Sequence, residues 1–215
     1  MKKTFIFCNN FPDVLGYQDD NFSLYTKLNG IIIATNGGAN YLCKNGIIPD
    51  VVIGDFDSIL PEYLNLLKNK SIKKKFPINK DKSDTELAIE YCQQNGYNDI
   101  TLINAIDGQL KHSLANLFII EKFVVQGIKF HFYNQKNEIF VIDDKIRIKE
   151  DVGVNISLIS LTDSTTIKKT EGLKFPLKNE RLYRSSSRGI SNITTKKIVI
   201  IEILSGILLL IKERS

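Results

Sequence analysis

Apolar positions in the first 133 residues fall into short runs separated by stretches of helical spacing. Thr4 to Cys8, Gly30 to Ala34, Asp50 to Ile53, Ile100 to Ile103 and Lys129 to Tyr133 are brief β-branched or aromatic runs. Glu62 to Lys68, Asp84 to Gln94 and Leu110 to Gln126 instead place apolar residues three and four apart. Strands alternating with helices predict βαβ units, which build a mostly parallel sheet with helices on both faces and ligands outside the carboxyl ends of the strands. After residue 133 the helical spacing stops. Glu138 to Ile142, Lys145 to Ile148, Asn155 to Leu161, Lys196 to Leu204 and Ile207 to Lys212 read as strands between Asp-, Asn-, Gly- and Lys-rich turns. The expected fold is an α/β domain over residues 1–133 followed by an all-β, sandwich-like domain over 138–215, with Asn134 to Asn137 as the boundary. The most apolar stretch, Ile198 to Ile211, contains Glu202 and Ser205-Gly206. It is too short for the roughly 30 Å of a bilayer core, and it is expected to be a buried hairpin.

Composition narrows the class without naming a chemistry. With 43% hydrophobic and 25% charged residues among 215, the chain is neither a disordered tail, a collagen-like rod nor a membrane bundle. Cys8, Cys43 and Cys92 are odd in number and lack C-x-x-C spacing, so neither a disulfide framework nor a zinc ribbon is suggested and a reducing compartment is expected. The basic and apolar start is broken by Asn9-Asn10 too early for a signal peptide, so the expected location is the cytoplasm. The net charge of +5 is uneven. Residues 1–125 carry 13 basic and 14 acidic side chains, and residues 126–215 carry 16 and 10, which suits an anionic ligand or a split site. The five lysines of Lys68 to Lys75 are most simply a solvated surface, with an anion-binding patch as the alternative. Basic and aromatic residues do not interleave as on a nucleic-acid surface.

Four passages carry candidate chemistry, each at an expected strand end. In Val51-Val52-Ile53-Gly54-Asp55-Phe56-Asp57 an apolar strand runs into two carboxylates at i and i+2, which extended geometry would turn to one side. Two such groups about 4 Å apart repel by about 4 kcal/mol at an effective dielectric of 20, so pairing them in a crevice calls for a cation, and oxygen ligands suit Mg2+. An acidic, solvated turn is the alternative. Asp81-Lys82-Ser83-Asp84-Thr85-Glu86 opens a helix. Ser83 with Glu86 fits a capping box, a complete stability explanation, yet Asp84 could also complete an oxygen cage with Asp55 and Asp57. Asn36-Gly37-Gly38 ends a buried strand where backbone N–H groups can approach a phosphate, or where glycines merely make a tight turn. Asp107-Gly108-Gln109-Leu110-Lys111-His112, leading to Asn116, sets polar residues at the same sheet edge, with His112 either structural or a base. No Gly-x-x-x-x-Gly-Lys-Ser/Thr loop and no Gly-x-Gly-x-x-Gly occurs.

Taken in order, these motifs together with Gly172 to Leu177 and Ser187-Arg188-Gly189-Ile190-Ser191-Asn192 resemble the thiamine pyrophosphokinase family over nearly the whole chain. The resemblance implies transfer of pyrophosphate from ATP to the hydroxyl of thiamine, with AMP released. It implies Asp55, Asp57 and Asp84 as Mg2+ ligands supported by Asp81. The nucleotide would be bound by Asn36, Gly37, Gly38, Gly108, Gln109, Lys111, His112 and Asn116, and thiamine by Ser187, Ser191 and Asn192. It also implies a homodimer whose sites are shared between subunits. The chain departs from the family pattern where Asp is usual at Asn36, and where Gly-Gly-Arg-x-Asp-His is usual over Asp107 to His112. Lys111 either compensates for the missing arginine or marks decayed catalysis. A pyrophosphokinase for another heterocyclic alcohol, such as a pterin, and a non-catalytic ATP- or thiamine-binding homologue are the alternative functions.

Overall fold

The strands of the first half each span four or five residues: β1 (Thr4–Phe7), β2 (Ile31–Thr35), β3 (Val51–Gly54), β4 (Ile72–Lys75), β5 (Asp99–Ile103) and β6 (Lys129–Tyr133). In this computed structural model the described residues are 3–9, 30–77, 79–106 and 109–214, and they group into two units that divide after Asn134. In the first unit the strands pair in parallel in the order β6-β5-β1-β2-β3-β4. The helices are α1 (Asn36–Lys44), α2 (Pro61–Leu67), α3 (Asp84–Gln94), α4 (Leu110–Ile119) and α5 (Glu121–Val124).

Strands β1, β2 and β3 are apolar on both faces because α1 packs on one side of them and α3 on the other. Phe5, Phe7, Ala34 and Val52 form one core with Ala39 and Leu42 of α1 and Leu67 of α2. The alternate residues Ile6, Ile33 and Ile53 are fully buried on the opposite face, and α3, which packs on β2 and β3, buries Ala88, Ile89 and Cys92. The three cysteines are free and buried, and burial pushes the Cys8 and Cys92 thiols up to about 12.

Two local expectations differ from the structure here. Helix α1 begins at Asn36, directly in the Gly37-Gly38 passage read as a turn; Gly38 is needed because a Cβ there would stand 2.0 Å from Phe7 O. The lysine run is a solvated surface, as expected: its last four residues form the exposed edge strand β4, whose lysines guard the sheet edge against pairing with another chain. The single helix expected over Leu110 to Gln126 is broken at Ile120 into α4 and α5.

The second unit is an antiparallel sandwich. β7 (Asn137–Ile142), β9 (Asn155–Ser160), β12 (Asn192–Ile193) and β14 (Leu208–Glu213) pair in the order β12-β9-β14-β7. β8 (Lys145–Lys149), β10 (Ser164–Glu171), β11 (Lys178–Tyr183) and β13 (Ile198–Ser205) pair in the order β11-β10-β13-β8. Ile156, Leu158, Leu208 and Leu210 of one sheet meet Ile167, Leu182, Val199 and Ile201 of the other in a single core. The expected hairpin over Ile198 to Ile211 is not formed. Gly206, at φ +87°, turns the chain so that β13 and β14 enter different sheets. No helix among the described residues is long and apolar enough to cross a membrane.

Candidate functional site

Three chain segments meet at the carboxyl edge of the parallel sheet. Asn36 opens α1 directly after β2, Asp55 and Asp57 follow β3, and Asp84 opens α3. Thr35 fixes the first segment to β1, its hydroxyl donating to Cys8 O at 2.6 Å. Ser83 caps α3 by accepting from Glu86 N at 3.1 Å, so the capping function read from the sequence is real and Asp84 lies in the first turn of an 11-residue helix.

Asn36 is the hub. Its Nδ2 donates to Asp55 Oδ1 at 2.6 Å and to Asp84 Oδ2 at 3.2 Å, with Asp57 Oδ1 at 3.5 Å, and its Oδ1 accepts from Phe56 N at 3.1 Å. The two acids after β3 are not gathered by extended geometry as expected. Phe56 takes a left-handed φ of +68°, and the turn lets Asp57 N donate to Asp55 Oδ1 at 3.2 Å. Asn40 holds the far side of this turn, donating to Ser58 O at 2.8 Å and accepting from Leu60 N at 3.0 Å.

A cation that sequence reasoning missed completes the cluster. Lys80 Nζ lies 2.6 Å from Asp84 Oδ1, with only 16% of the lysine side chain exposed. The sequence carried no signal for it, because Lys80 precedes the helix that Asp84 opens and helical i, i+4 pairing does not apply there. Burial pulls the Asp55 carboxyl upward, but hydrogen bonds from Asp57 N and the Asn36 amide, with the charge of Lys80 behind them, hold it below its usual range.

The remaining expected residues are less closely tied to this cluster. Asp81 is exposed and makes none of the cluster's hydrogen bonds or ion pairs among the described residues. Gly37 lies in the first turn of α1 beside Gly38, whose lack of a Cβ serves packing against β1. Gln109 caps the backbone start of α4, and Lys111 and His112 follow it on exposed positions. Asn116 is buried, with its amide spent on Ala105 O at 2.7 Å. Gly108 lies outside the described residues.

In the second unit Ser187 is exposed, and Ser191, at φ +56°, donates its backbone N–H to Ser157 Oγ at 3.1 Å. Asn192 is buried and clamps the backbone of Phe175: Oδ1 accepts from Phe175 N at 3.0 Å and Nδ2 donates to Phe175 O at 2.8 Å. The clamped Phe175 leaves its side chain 53% exposed. A cavity of about 530 Å³, lined by Ile31, Asp50, Lys70, Tyr91 and Tyr97 among others, lies at the amino ends of β2 to β4, the sheet edge away from the acidic cluster.

All three acids and the asparagine converge, yet among the described residues no group of three or more His, Cys, Asp or Glu side chains is spaced to hold a metal ion as it stands. The donor set itself, three carboxylates around one point, is the hard-oxygen chemistry that Mg2+ takes.

Residues 22–132 match the sequence profile described as "Thiamin pyrophosphokinase, catalytic domain", and residues 144–208 match "Thiamin pyrophosphokinase, vitamin B1 binding domain". The chain belongs to the thiamin pyrophosphokinase family. A Bacillus subtilis (strain 168) protein named thiamine pyrophosphokinase is 26% identical over 213 residues, spanning 95% of this chain and 94% of the relative. The fold is that of solved thiamin pyrophosphokinases. The Bacillus subtilis structure superposes with a TM-score of 0.82 at 24% identity, covering 100% of both chains. The yeast enzyme gives 0.78 at 17% identity, covering 99% of this chain and 86% of its own.

Proposed function

We propose that this protein transfers the pyrophosphoryl group of ATP to the hydroxyl of thiamine, giving thiamine diphosphate and AMP, with the acidic cluster at the sheet edge as the Mg2+ and phosphate site. The observation that carries the reading is the convergence of Asp55, Asp57 and Asp84, from two separate elements, on one point beside Lys80. Membership of the family supplies the two substrates.

In this reading Asp55, Asp57 and Asp84 hold Mg2+, which when bound supplies positive charge to the triphosphate oxygens. The thiamine hydroxyl oxygen attacks the β-phosphorus, the bond from that phosphorus to the α-phosphate bridging oxygen breaks, and AMP leaves in line. The hydroxyl proton passes to whichever of Asp55, Asp57 and Asp84 is not spent on the metal. The work is positioning and electrostatics on a rigid sheet edge. Asp81, Gly37, Gly38, Gly108, Gln109, Lys111, His112 and Asn116 form the proposed nucleotide surround. Within it Asn116 would act through the backbone of Ala105, to which its amide donates, and Lys111 would meet phosphate as a cation, a role supported by its exposure.

For thiamine we assign Ser187, Ser191 and Asn192, with Phe175 as the aromatic surface. Its support is an exposed ring on a backbone locked at both N and O by Asn192. A homodimer belongs to the same proposal, supported by the exposed stripe Leu110, Leu114 and Phe118 at helical spacing on α4. A cytoplasmic location is supported by three free, buried thiols.

The test is to incubate purified protein with ATP, Mg2+ and thiamine and to follow AMP together with thiamine diphosphate. Stoichiometric formation of both, abolished by Asp57→Asn in a folded variant, is the expected result. Product with a pterin-like alcohol alone, or binding of ATP and thiamine without AMP, would overturn it.

A further inference from the structure

We propose that Asn36 is a positioning residue that stands in for a cation: its Nδ2 gathers Asp55, Asp57 and Asp84 in the ion-free protein and yields their oxygens when an ion arrives. The inference rests on the reading of these carboxylates as a Mg2+ site. One amide nitrogen is the shared neighbour of all three acids, at 2.6, 3.2 and 3.5 Å. It carries two hydrogens, enough for the two shorter contacts, and its partial positive charge faces the third acid.

The amide has no freedom to turn over. Its Oδ1 accepts from Phe56 N at 3.1 Å, and that N–H is aimed by the left-handed φ of +68° at Phe56. Gly54 presses from below, where a Cβ would stand 2.4 Å from Asn36 Oδ1. The NH2 group is therefore committed to the carboxylates. A carboxylate at position 36 would still accept from Phe56 N, but its second oxygen would face three like charges. An aliphatic side chain would satisfy neither side. Among these, only an amide closes the cluster with no ion present.

Arrival of Mg2+ has a cost that follows from this geometry. An ion centred among the acids would draw on lone pairs of the oxygens now turned to Nδ2, Asp55 Oδ1, Asp57 Oδ1 and Asp84 Oδ2, and would meet the positive end of the amide, so Asn36 keeps the empty site assembled and at the same time competes with the free ion. An ion that brings phosphate oxygens of its own depends less on those lone pairs, so the site favours Mg2+ already carried by a nucleotide triphosphate over Mg2+ alone.

The experiment compares thermal midpoints of the full chain in chelator and in millimolar Mg2+, for wild type, Asn36→Asp and the exchange variant Asn36→Asp/Asp55→Asn. The expected result is that Asn36→Asp falls by at least about 4 °C in chelator and regains that loss in Mg2+. The exchange variant, which restores one amide among three acids, should regain chelator stability without the ion. Equal Mg2+ shifts in wild type and Asn36→Asp, or an exchange variant no more stable in chelator than Asn36→Asp, would overturn the proposal. If Asn36→Asp does not fold, Asn36→Leu is the second variant. A larger Mg2+ shift than wild type supports the proposal, and an unchanged shift overturns it. The turnover assay on wild type reports separately on the functional reading, since loss of product formation there leaves the chelator comparison intact.

Discussion

Gly54 and Asn36 approach so closely that a single added methyl group at position 54 would stand 2.4 Å from the asparagine Oδ1 and 3.0 Å from Asp84 Oδ2. Gly54→Ala must therefore displace Asn36 from Phe56 N, on top of the strain of φ +150°. We expect a stability loss of about 1–3 kcal/mol by urea denaturation and loss of most turnover. Gly46→Ala is the control, since Gly46 has φ +74° but open space around it. It should lose about 1 kcal/mol and keep its rate. Equal rates for the two variants would refute the argument.

Lys80 is the resident cation of the acidic cluster, and its effect should separate by chemistry at the same position. Lys80→Met leaves Asp84 Oδ1 without its ion pair. Because the pair is partly exposed, the stability loss should be about 1–2 kcal/mol, smaller than for a fully buried pair. Turnover should fall more than tenfold, and Lys80→Arg should restore part of it. Full activity in the methionine variant would show that the cation is incidental.

Asn192 holds the backbone of Phe175, and under the proposed assignment the two would act on thiamine together. Phe175→Leu should raise the KM for thiamine about two- to tenfold, the worth of one aromatic contact, with kcat little changed. Asn192→Ala removes both hydrogen bonds that fix the Phe175 backbone, at about 1 kcal/mol each, and should raise the same KM while lowering stability. A KM that is unmoved in both variants removes this surface from the thiamine site.

Lys212 offers a pH signature in the second unit. It lies 2.5 Å from Glu138 and 2.6 Å from Glu150 with 18% of its side chain exposed. Burial alone would lower its pKa, but the hydrogen bonds that the ammonium donates to the two glutamates, with their charges, outweigh it and raise the value above the ordinary 10.5. A raised lysine pKa stabilises the fold fully below 10.5, and that contribution is lost as pH climbs through the higher folded value. Lys212→Met should be less stable than wild type by about 1–3 kcal/mol at neutral pH, with the gap narrowing above pH 10.5. A gap that stays constant across that window would contradict the assignment.

The site was legible in the sequence where chemistry is written locally and illegible where it depends on folding. Asp55, Asp57 and Asp84 could be named because acids at a strand end and a helix start are informative without coordinates. Asn36 was read as part of the site, but that its one amide nitrogen would face all three acids depends on the turn at Phe56 and could not be read. The same division holds for the fold. Strand and helix alternation exposed the parallel sheet, but the glycines after Asn36 masked α1 because they lower helix propensity, and close packing against Phe7 decided the matter. β10, Ser-Thr-Thr-Ile-Lys-Lys-Thr-Glu, reads as polar; it is a strand because Thr165, Ile167 and Thr170 turn inward. The apparent hairpin at Ser205-Gly206 failed for a similar reason, since turn chemistry is local and the choice of sheet is not.

The position of β14 between β7 and β9 bears on how the molecule is made. Every strand of the parallel sheet is available once residue 133 has left the ribosome, so that sheet can assemble during synthesis. The sandwich is completed later, because its first-made strand, β7, waits for β14, the last in chain order among the described strands. Until then β7 carries an unpaired backbone edge, and chaperone protection of the nascent chain would matter most during this interval.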